Sequence, residues 1–348
     1  MRGRFLAASM ADPIRIAGAG LAGMMAACVL ARAGRTVEVF DTKKELLPSS
    51  GPHSEGIRNY RTVDALGELR SVGFDLEPFS TVRRTVRASP HARTELLGPA
   101  HYLFARGREP DTVDQTLFRR ATEAGARFRF GAPLDLEEAD IVATGPPRDQ
   151  TEILGAGYTF SAAGSPLSPE AAFALFDNEV APAGYMAITP GTAYHSIYSV
   201  SWSEFDYGRL LERVHRAFEI PWIHEILGTS TFVGKIHGRA HVVRDPIAHA
   251  ERGGSLYVGE AGGFQDAVAG FGFRYAAMTG ALAARSILQG ADYRELLRAA
   301  FGNEFVESWA FREKFNHATN EDYDRMFQAL GPQITLEAYV AQRGSRGF

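Results

Sequence analysis

Pro13-Ile14-Arg15-Ile16-Ala17-Gly18-Ala19-Gly20-Leu21-Ala22-Gly23 runs from a short apolar strand into a glycine-rich turn. An Ala-rich helical segment from Met24 to Ala33 follows, Gly34 breaks it, and Arg35-Thr36-Val37-Glu38-Val39-Phe40-Asp41 supplies a second, β-branched strand. Strand, turn, helix and strand make a βαβ unit. Gly18 permits the tight bend, Gly20 lets backbone approach a pyrophosphate, and Gly23 lets helix and strand pack closely. Leu21 and Ala22 complete the turn ahead of the helix, whose unpaired amides and positive dipole end favour an anion. Asp41 lies 18 residues beyond Gly23, at a strand end where a carboxylate accepts from both ribose hydroxyls and disfavours a 2′-phosphate. Gly18, Gly20, Leu21, Ala22, Gly23 and Asp41 are therefore candidate dinucleotide contacts.

The 348 residues are enough for about two domains, or for one large discontinuous one. Hydrophobic residues make up 45% and charged residues 22%, and no apolar run reaches the roughly 18 residues of a membrane span. A formal charge of −4 offers no basic field for nucleic acid or anionic lipid. The single cysteine, Cys28, excludes an intramolecular disulfide framework and fits a cytoplasmic setting. Residues 1–11 read as a tail, with Met10 an alternative start.

Further along, a loop is expected from Leu46 to Glu55, helices at 61–72 and 112–125, and strands at 127–130 and 140–143. Residues 83–106 read as β. From 151 to 250 short apolar runs are interrupted by Gly, Thr, Ser, Tyr and His, as in an antiparallel sheet with one or two helices. A buried strand at 255–259, a small-residue helix at 273–288 and helical patterns over 291–330 complete the chain.

Two later segments choose between flavin and nicotinamide. Asp140-Ile141-Val142-Ala143-Thr144-Gly145 resembles the A-T-G strand of flavoproteins of the two-dinucleotide-binding type, which implies FAD contacts at Thr144 and Gly145. Tyr257-Val258-Gly259-Glu260-Ala261-Gly262-Gly263-Phe264 resembles their V-G-D-A-A-G signature and implies contacts at Gly259, Glu260 and Ala261. A carboxylate there reaches a ribityl hydroxyl while the next helix N-terminus faces the phosphates or the flavin pyrimidine.

The chain as a whole resembles the geranylgeranyl-reductase-like branch of the para-hydroxybenzoate hydroxylase superfamily, over residues 13 to about 290. Pro52-His53-Ser54-Glu55-Gly56-Ile57 is similar to the branch's P-C-G-E-G-L loop, and Val113-Asp114-Gln115-Thr116-Leu117-Phe118 lies where its V-x-R-x-x-F-D helix begins. Gly184-Tyr185-Met186-Ala187-Ile188-Thr189-Pro190 is similar to its G-Y-x-W-x-F-P strand. Ala269 to Gly280 resembles G-E-G-I-x-x-A-M-x-S-G, implying flavin contacts at Gly270, Gly272 and Phe273. Glu260 stands for the usual aspartate and His53 for the usual cysteine. The arginine of the 113–118 helix is missing from its usual place, which leaves Arg108 as the candidate for that contact.

The expected fold is α/β: a Rossmann-like FAD domain of the two-dinucleotide-binding type, with an inserted β-sheet substrate domain and C-terminal helices. The FAD domain is assigned to 12–75, 107–150 and 251–290, the substrate domain to 76–106 and 151–250, and the helical segment to 291–348. The resemblance implies hydride transfer from reduced flavin to an apolar small molecule such as a carbon–carbon double bond, with NADH or NADPH as external reductant. A flavin-dependent monooxygenase, or a non-redox FAD-binding isomerase or cyclase, are the alternatives, and the oligomeric state stays open. His53 is the first candidate proton donor and Glu55 the second. Tyr185, Tyr194, His195 and Tyr198 are candidate cavity residues. His237, His241 and His249 could suggest a metal, since a spacing of four places two on one helical face, but the intervening glycine and β-branched residues argue against a helix and no carboxylate lies at ligand spacing, so no metal is expected.

Overall fold

The structure, a computed structural model, describes residues 12–46, 53–147 and 149–346. The tail expected at 1–11, with Met10, and Pro52 of the loop motif lie outside these residues. The chain begins β1 (Ile14–Ala17), α1 (Leu21–Arg32), β2 (Val37–Asp41), β3 (His53–Arg58), α2 (Ala65–Ser71), β4 (Ser80–Ala88), β5 (Arg93–Arg106), α3 (Val113–Glu123), β6 (Arg127–Phe130) and β7 (Ile141–Val142). It continues with β8 (Ile153–Ser161), β9 (Ala171–Leu175), β10 (Tyr185–Thr189), β11 (Tyr194–Ser201), α4 (Tyr207–Ala217), α5 (Pro221–Leu227), β12 (Phe232–Ala240), β13 (Glu251–Arg252) and β14 (Ser255–Tyr257). After a 3-10 turn at Gly259–Gly262 come α6 (Phe273–Gln289), α7 (Tyr293–Phe301), α8 (Glu304–Phe315), α9 (Asn320–Leu330), β15 (Gln333–Thr335) and α10 (Leu336–Arg346).

Two sheets organise these elements. The first has the order β13-β14-β7-β1-β2-β6 and is parallel except where β13 meets β14. Helix α1 is apolar almost all round, so only Val29 and Arg32 of its twelve residues escape full burial. It packs between the sheet and α6. A Cβ at Gly280 would lie 2.1 Å from the Ala22 carbonyl oxygen, so glycine is what lets the two helices approach.

The second sheet runs β12-β8-β11-β10-β9-β4-β5-β15, with β3 also paired to β5. Period-two alternation sorts its faces. Met186 and Ile188 of β10 join a core with Val214 and Ile223 of the helices α4 and α5, while Tyr185, Ala187 and Thr189 face a cavity on the other side. The expected α/β class, with a Rossmann-like unit, a large sheet and C-terminal helices, is the fold observed.

The structure departs from the sequence expectations in two places. His53 to Glu55, expected within a loop, begin β3, because His53–Arg58 finds an antiparallel partner in His101–Arg106 far along the chain. Ile57 of that strand packs into the core of the parallel sheet, so β3 belongs to the large sheet by hydrogen bonding and to the nucleotide unit by packing. In the C-terminal segment, β15 interrupts the helices by pairing in parallel with Glu95–Leu97 of β5.

Candidate functional site

The glycine turn is assembled by backbone contacts that leave no room for side chains at two of its three glycines. A Cβ at Gly18 (φ +109°) would lie 2.2 Å from the Ala143 carbonyl oxygen, and one at Gly23 would lie 2.0 Å from the Gly18 carbonyl oxygen. Gly20 differs: nothing comes closer than 4.0 Å to its Cβ direction. It is the N-cap of α1, no side chain caps the helix, and no acidic residue occupies its first turn. Leu21 and Ala22 are buried in that turn. Free amides at a helix N-terminus with open space in front form an anion site. Asp41 closes the turn from β2, accepting from the Ala19 amide at 2.9 Å and the Lys43 amide at 2.8 Å. Each carboxylate oxygen keeps a lone pair for a hydroxyl donor.

The other motif segments converge on the same helix end. Ala143, beside Thr144 and Gly145, forms the wall against Gly18; Thr144 is exposed, and Gly145 (φ +77°) faces open space. Gly259 (φ +55°) would bring a Cβ to 3.1 Å from the Ala22 Cβ, and its amide donates to Thr279 Oγ1 at 2.9 Å. Ala261 is buried in the turn that follows. Gly270 (φ +72°) is held through its carbonyl by Gln265 Nε2 at 2.8 Å, and Gly272 opens α6 without a side-chain cap. Phe273 is a core side chain, stacked on Phe104 at 5.1 Å.

Strand β3 forms the wall between this region and the cavity. His53, Glu55 and Ile57 point to the nucleotide side, whereas Ser54, Gly56 and Arg58 line the cavity. Glu55 is ion-paired with Arg106, and Arg106 in turn makes a bidentate pair with Asp114 at 2.7 Å for each bond. Asp114 is fully buried. Sequence reasoning missed Arg106 and pointed to Arg108, which is half exposed and pairs with Glu45. No sequence signal separates the two, because what distinguishes Arg106 is its place at the end of β5, paired in register with His53. Burial pushes the Glu260 carboxyl up to about 8, the nearby Glu55 pushes it the same way, and Arg239 opposes both. Glu260 is therefore largely protonated at neutral pH and offers a hydroxyl donor.

These groups fit FAD. Gly20 and the first turn of α1 would hold the pyrophosphate and Asp41 the adenosine ribose. Glu260 would meet the ribityl chain, and the Gly270–Gly272 loop would meet the ring system.

The cavity beyond β3 has a volume of about 680 Å³, inside the range of roughly 300–1,000 Å³ typical of small-molecule sites. Its walls are mostly apolar, with Phe271, Ala187, Leu103 and Phe176 among them. Tyr185 and Tyr198 line it as expected, and Tyr185 donates to the Ala269 carbonyl at 2.6 Å. Tyr194 and His195 do not line it; His195 is buried and its Nδ1 accepts from the Gly191 amide at 3.1 Å. His241, from the histidine set of the middle region, pairs through Nδ1 with Glu152 at 2.9 Å.

Comparisons with known proteins agree with this geometry. A family model described as an NAD(P)-binding Rossmann-like domain matches residues 16–50. No curated protein matches. Among solved structures, a geranylgeranyl bacteriochlorophyll reductase-like protein from Thermoplasma acidophilum superposes with a TM-score of 0.77 at 17% identity, covering 97% of this chain and 96% of the other. The chain has the fold of that reductase-like protein. A flavin-dependent brominase superposes with a TM-score of 0.62 at 15% identity, covering 91% of this chain and 93% of its own. A flavoprotein/dehydrogenase from Cytophaga hutchinsonii gives 0.57 at 16% identity, with 96% and 94% covered. Among the described residues no helix is long and apolar enough to cross a membrane.

Proposed function

We propose that the chain is an FAD-dependent oxidoreductase that reduces an apolar small molecule at a carbon–carbon double bond. The observation that carries this reading is the loop Ala269–Gly272, which borders both compartments. Ala269 and Phe271 line the apolar cavity, while Gly272 opens the uncapped helix α6 beside the dinucleotide turn. When bound and reduced, FAD supplies a hydride equivalent to whatever occupies the cavity. The chain's own residues supply the rest. The glycine turn and Asp41 orient the nucleotide, the apolar walls exclude water, and Ser54 and Gly56 give the strand wall little bulk on the cavity side. The candidate proton donors His53 and Glu55 lie on the nucleotide face of β3 and not among the cavity residues, and Glu55 is held by its pair with Arg106. The likeness in fold to the reductase-like protein supports reduction over oxygen chemistry.

The test is anaerobic. The protein is loaded with FAD, reduced with a stoichiometric amount of dithionite, and mixed with olefinic substrates such as farnesol and geranylgeraniol. Flavin reoxidation with formation of the dihydro product supports the reading. Reoxidation only on admission of oxygen, with a hydroxylated product, replaces it with the monooxygenase alternative. Turnover with no change in flavin redox state selects the non-redox one.

A further inference from the structure

The polar end of the cavity shows an uncompensated charge. Arg87 of β4 is 7% exposed and lines the cavity on the same strand face as Thr85. Its guanidinium lies between two aromatic rings, 4.9 Å from the centroid of Tyr60 and 4.5 Å from that of Tyr339 on α10. The side chains of Tyr60 and Tyr339 also hydrogen-bond with it, but among the described residues no carboxylate pairs with it. The neighbouring Arg58 is different, since it is matched by Asp266 at 2.9 Å. Asp266 is already engaged by Ser308 Oγ at 2.7 Å and the Val268 amide at 3.0 Å. His101, stacked on Phe271, does not supply an anion either, and burial with the two arginines pushes its imidazole down to about 3, so it is neutral. Its buried Nδ1 has no hydrogen-bond partner, nor has the buried Thr85 Oγ1. Buried charges and buried polar atoms without partners are costly, and a ligand group that satisfies all of them removes that cost together.

We propose that the cavity binds an amphiphile with an apolar chain and a terminal carboxylate, and that Arg87 holds the carboxylate. A planar guanidinium held by two tyrosines and by no carboxylate can still match a ligand carboxylate. Thr85 Oγ1 and, in the appropriate tautomer, His101 Nδ1 lie on the same walls as additional donors. The apolar remainder of the cavity takes the chain. This deepens the preceding section by naming the substrate class, and it rests on that section's reading of the cavity as the substrate site, not on the redox step.

The experiment is equilibrium binding to the purified full chain, with FAD present, by tryptophan fluorescence and calorimetry. Three probes share one chain and differ in the head: oleate, oleyl alcohol and oleyl phosphate, each below its micellar concentration. Wild-type protein is expected to bind oleate at least tenfold more tightly than the alcohol and more tightly than the phosphate. Arg87→Met is expected to erase the preference for oleate while keeping alcohol binding within about twofold. The exposed Arg83→Met on the same strand serves as control and leaves the preference unchanged. Equal binding of oleate and alcohol, tightest binding of the phosphate, or equal losses for both probes in Arg87→Met overturns the proposal. Because binding is read without turnover, a protein that prefers oleate but fails the anaerobic reduction test retains the ligand assignment and loses only the reaction.

Discussion

Substituting alanine at two glycines of the same turn separates folding from cofactor binding. At Gly20 the backbone sits at φ −78°, ψ −179°, extended geometry open to any residue, and the nearest atom to a new Cβ is 4.0 Å away. An alanine N-cap costs up to about 1 kcal/mol relative to better caps. Lower entropy of the unfolded chain returns about 0.4–1 kcal/mol, so Gly20→Ala leaves stability nearly unchanged. The new methyl group instead projects into the space in front of the helix amides, where a phosphate would sit. Gly23→Ala reverses this pattern. Its Cβ would meet the Gly18 carbonyl oxygen at 2.0 Å, and the Ala143 carbonyl behind Gly18 prevents that peptide from retreating. Helix propensity favours alanine there by roughly 1 kcal/mol. Overpacking in a backbone-on-backbone contact outweighs this and leaves a net loss on the order of 1–3 kcal/mol. The assay pairs thermal unfolding of the FAD-free proteins with FAD titration followed by quenching of flavin fluorescence. Gly20→Ala is expected to keep its Tm and to lose at least about tenfold in FAD affinity, or ~1.4 kcal/mol. Gly23→Ala is expected to lose several degrees of Tm. A Gly20→Ala protein that binds FAD as tightly as wild type would refute the placement of the phosphate at this helix end.

Three further outcomes follow from other parts of the site. Removing Arg106 as Arg106→Leu strands the fully buried Asp114 and is expected to cost about 3–5 kcal/mol, read as a lower urea midpoint at unchanged m-value. Glu260 titrates near 8 in the fold, above its unfolded value, so the native state binds more protons between about pH 4.5 and pH 8 and this group's contribution to stability falls as pH rises through that window. In Glu260→Gln that fall disappears, and the Tm difference between variant and wild type should grow in the variant's favour from pH 5 to pH 8; a constant difference would contradict the assignment. Cys28 is buried and its thiol is pushed up to about 11, so it should resist a thiol-specific disulfide reagent at pH 8 until denaturant unfolds the protein.

The parts of this site that were legible in the sequence are those whose cause is local. Gly18 and Gly23 are demanded by close backbone contacts, and the strand and helix that flank them carry their own periodicities, so residues 13–41 announce a nucleotide turn unaided. The small-residue pattern around Gly280 announces a tightly packed helix in the same way, although it does not name Ala22 as the partner. Contacts between distant segments were not legible. Arg106 and Arg108 look equivalent in the string Phe104-Ala105-Arg106-Gly107-Arg108, and only the pairing of β5 with β3 and α3 buries one and exposes the other. His53 and Glu55 were expected on a loop because a strand whose partner lies almost fifty residues away carries no turn signal of its own. Arg87 gave no signal at all, since a buried arginine without a carboxylate partner is defined by what is missing opposite it.

The central claim is that the three converging motifs hold a redox-active flavin, and the visible absorption spectrum of the purified protein tests it most directly. The spectrum is recorded before and after addition of FAD, and then anaerobically with NADH, NADPH and dithionite. The account predicts oxidised-flavin bands that stay with the protein through gel filtration and bleach on reduction. A protein that shows no flavin bands as purified and retains none after incubation with FAD would contradict it.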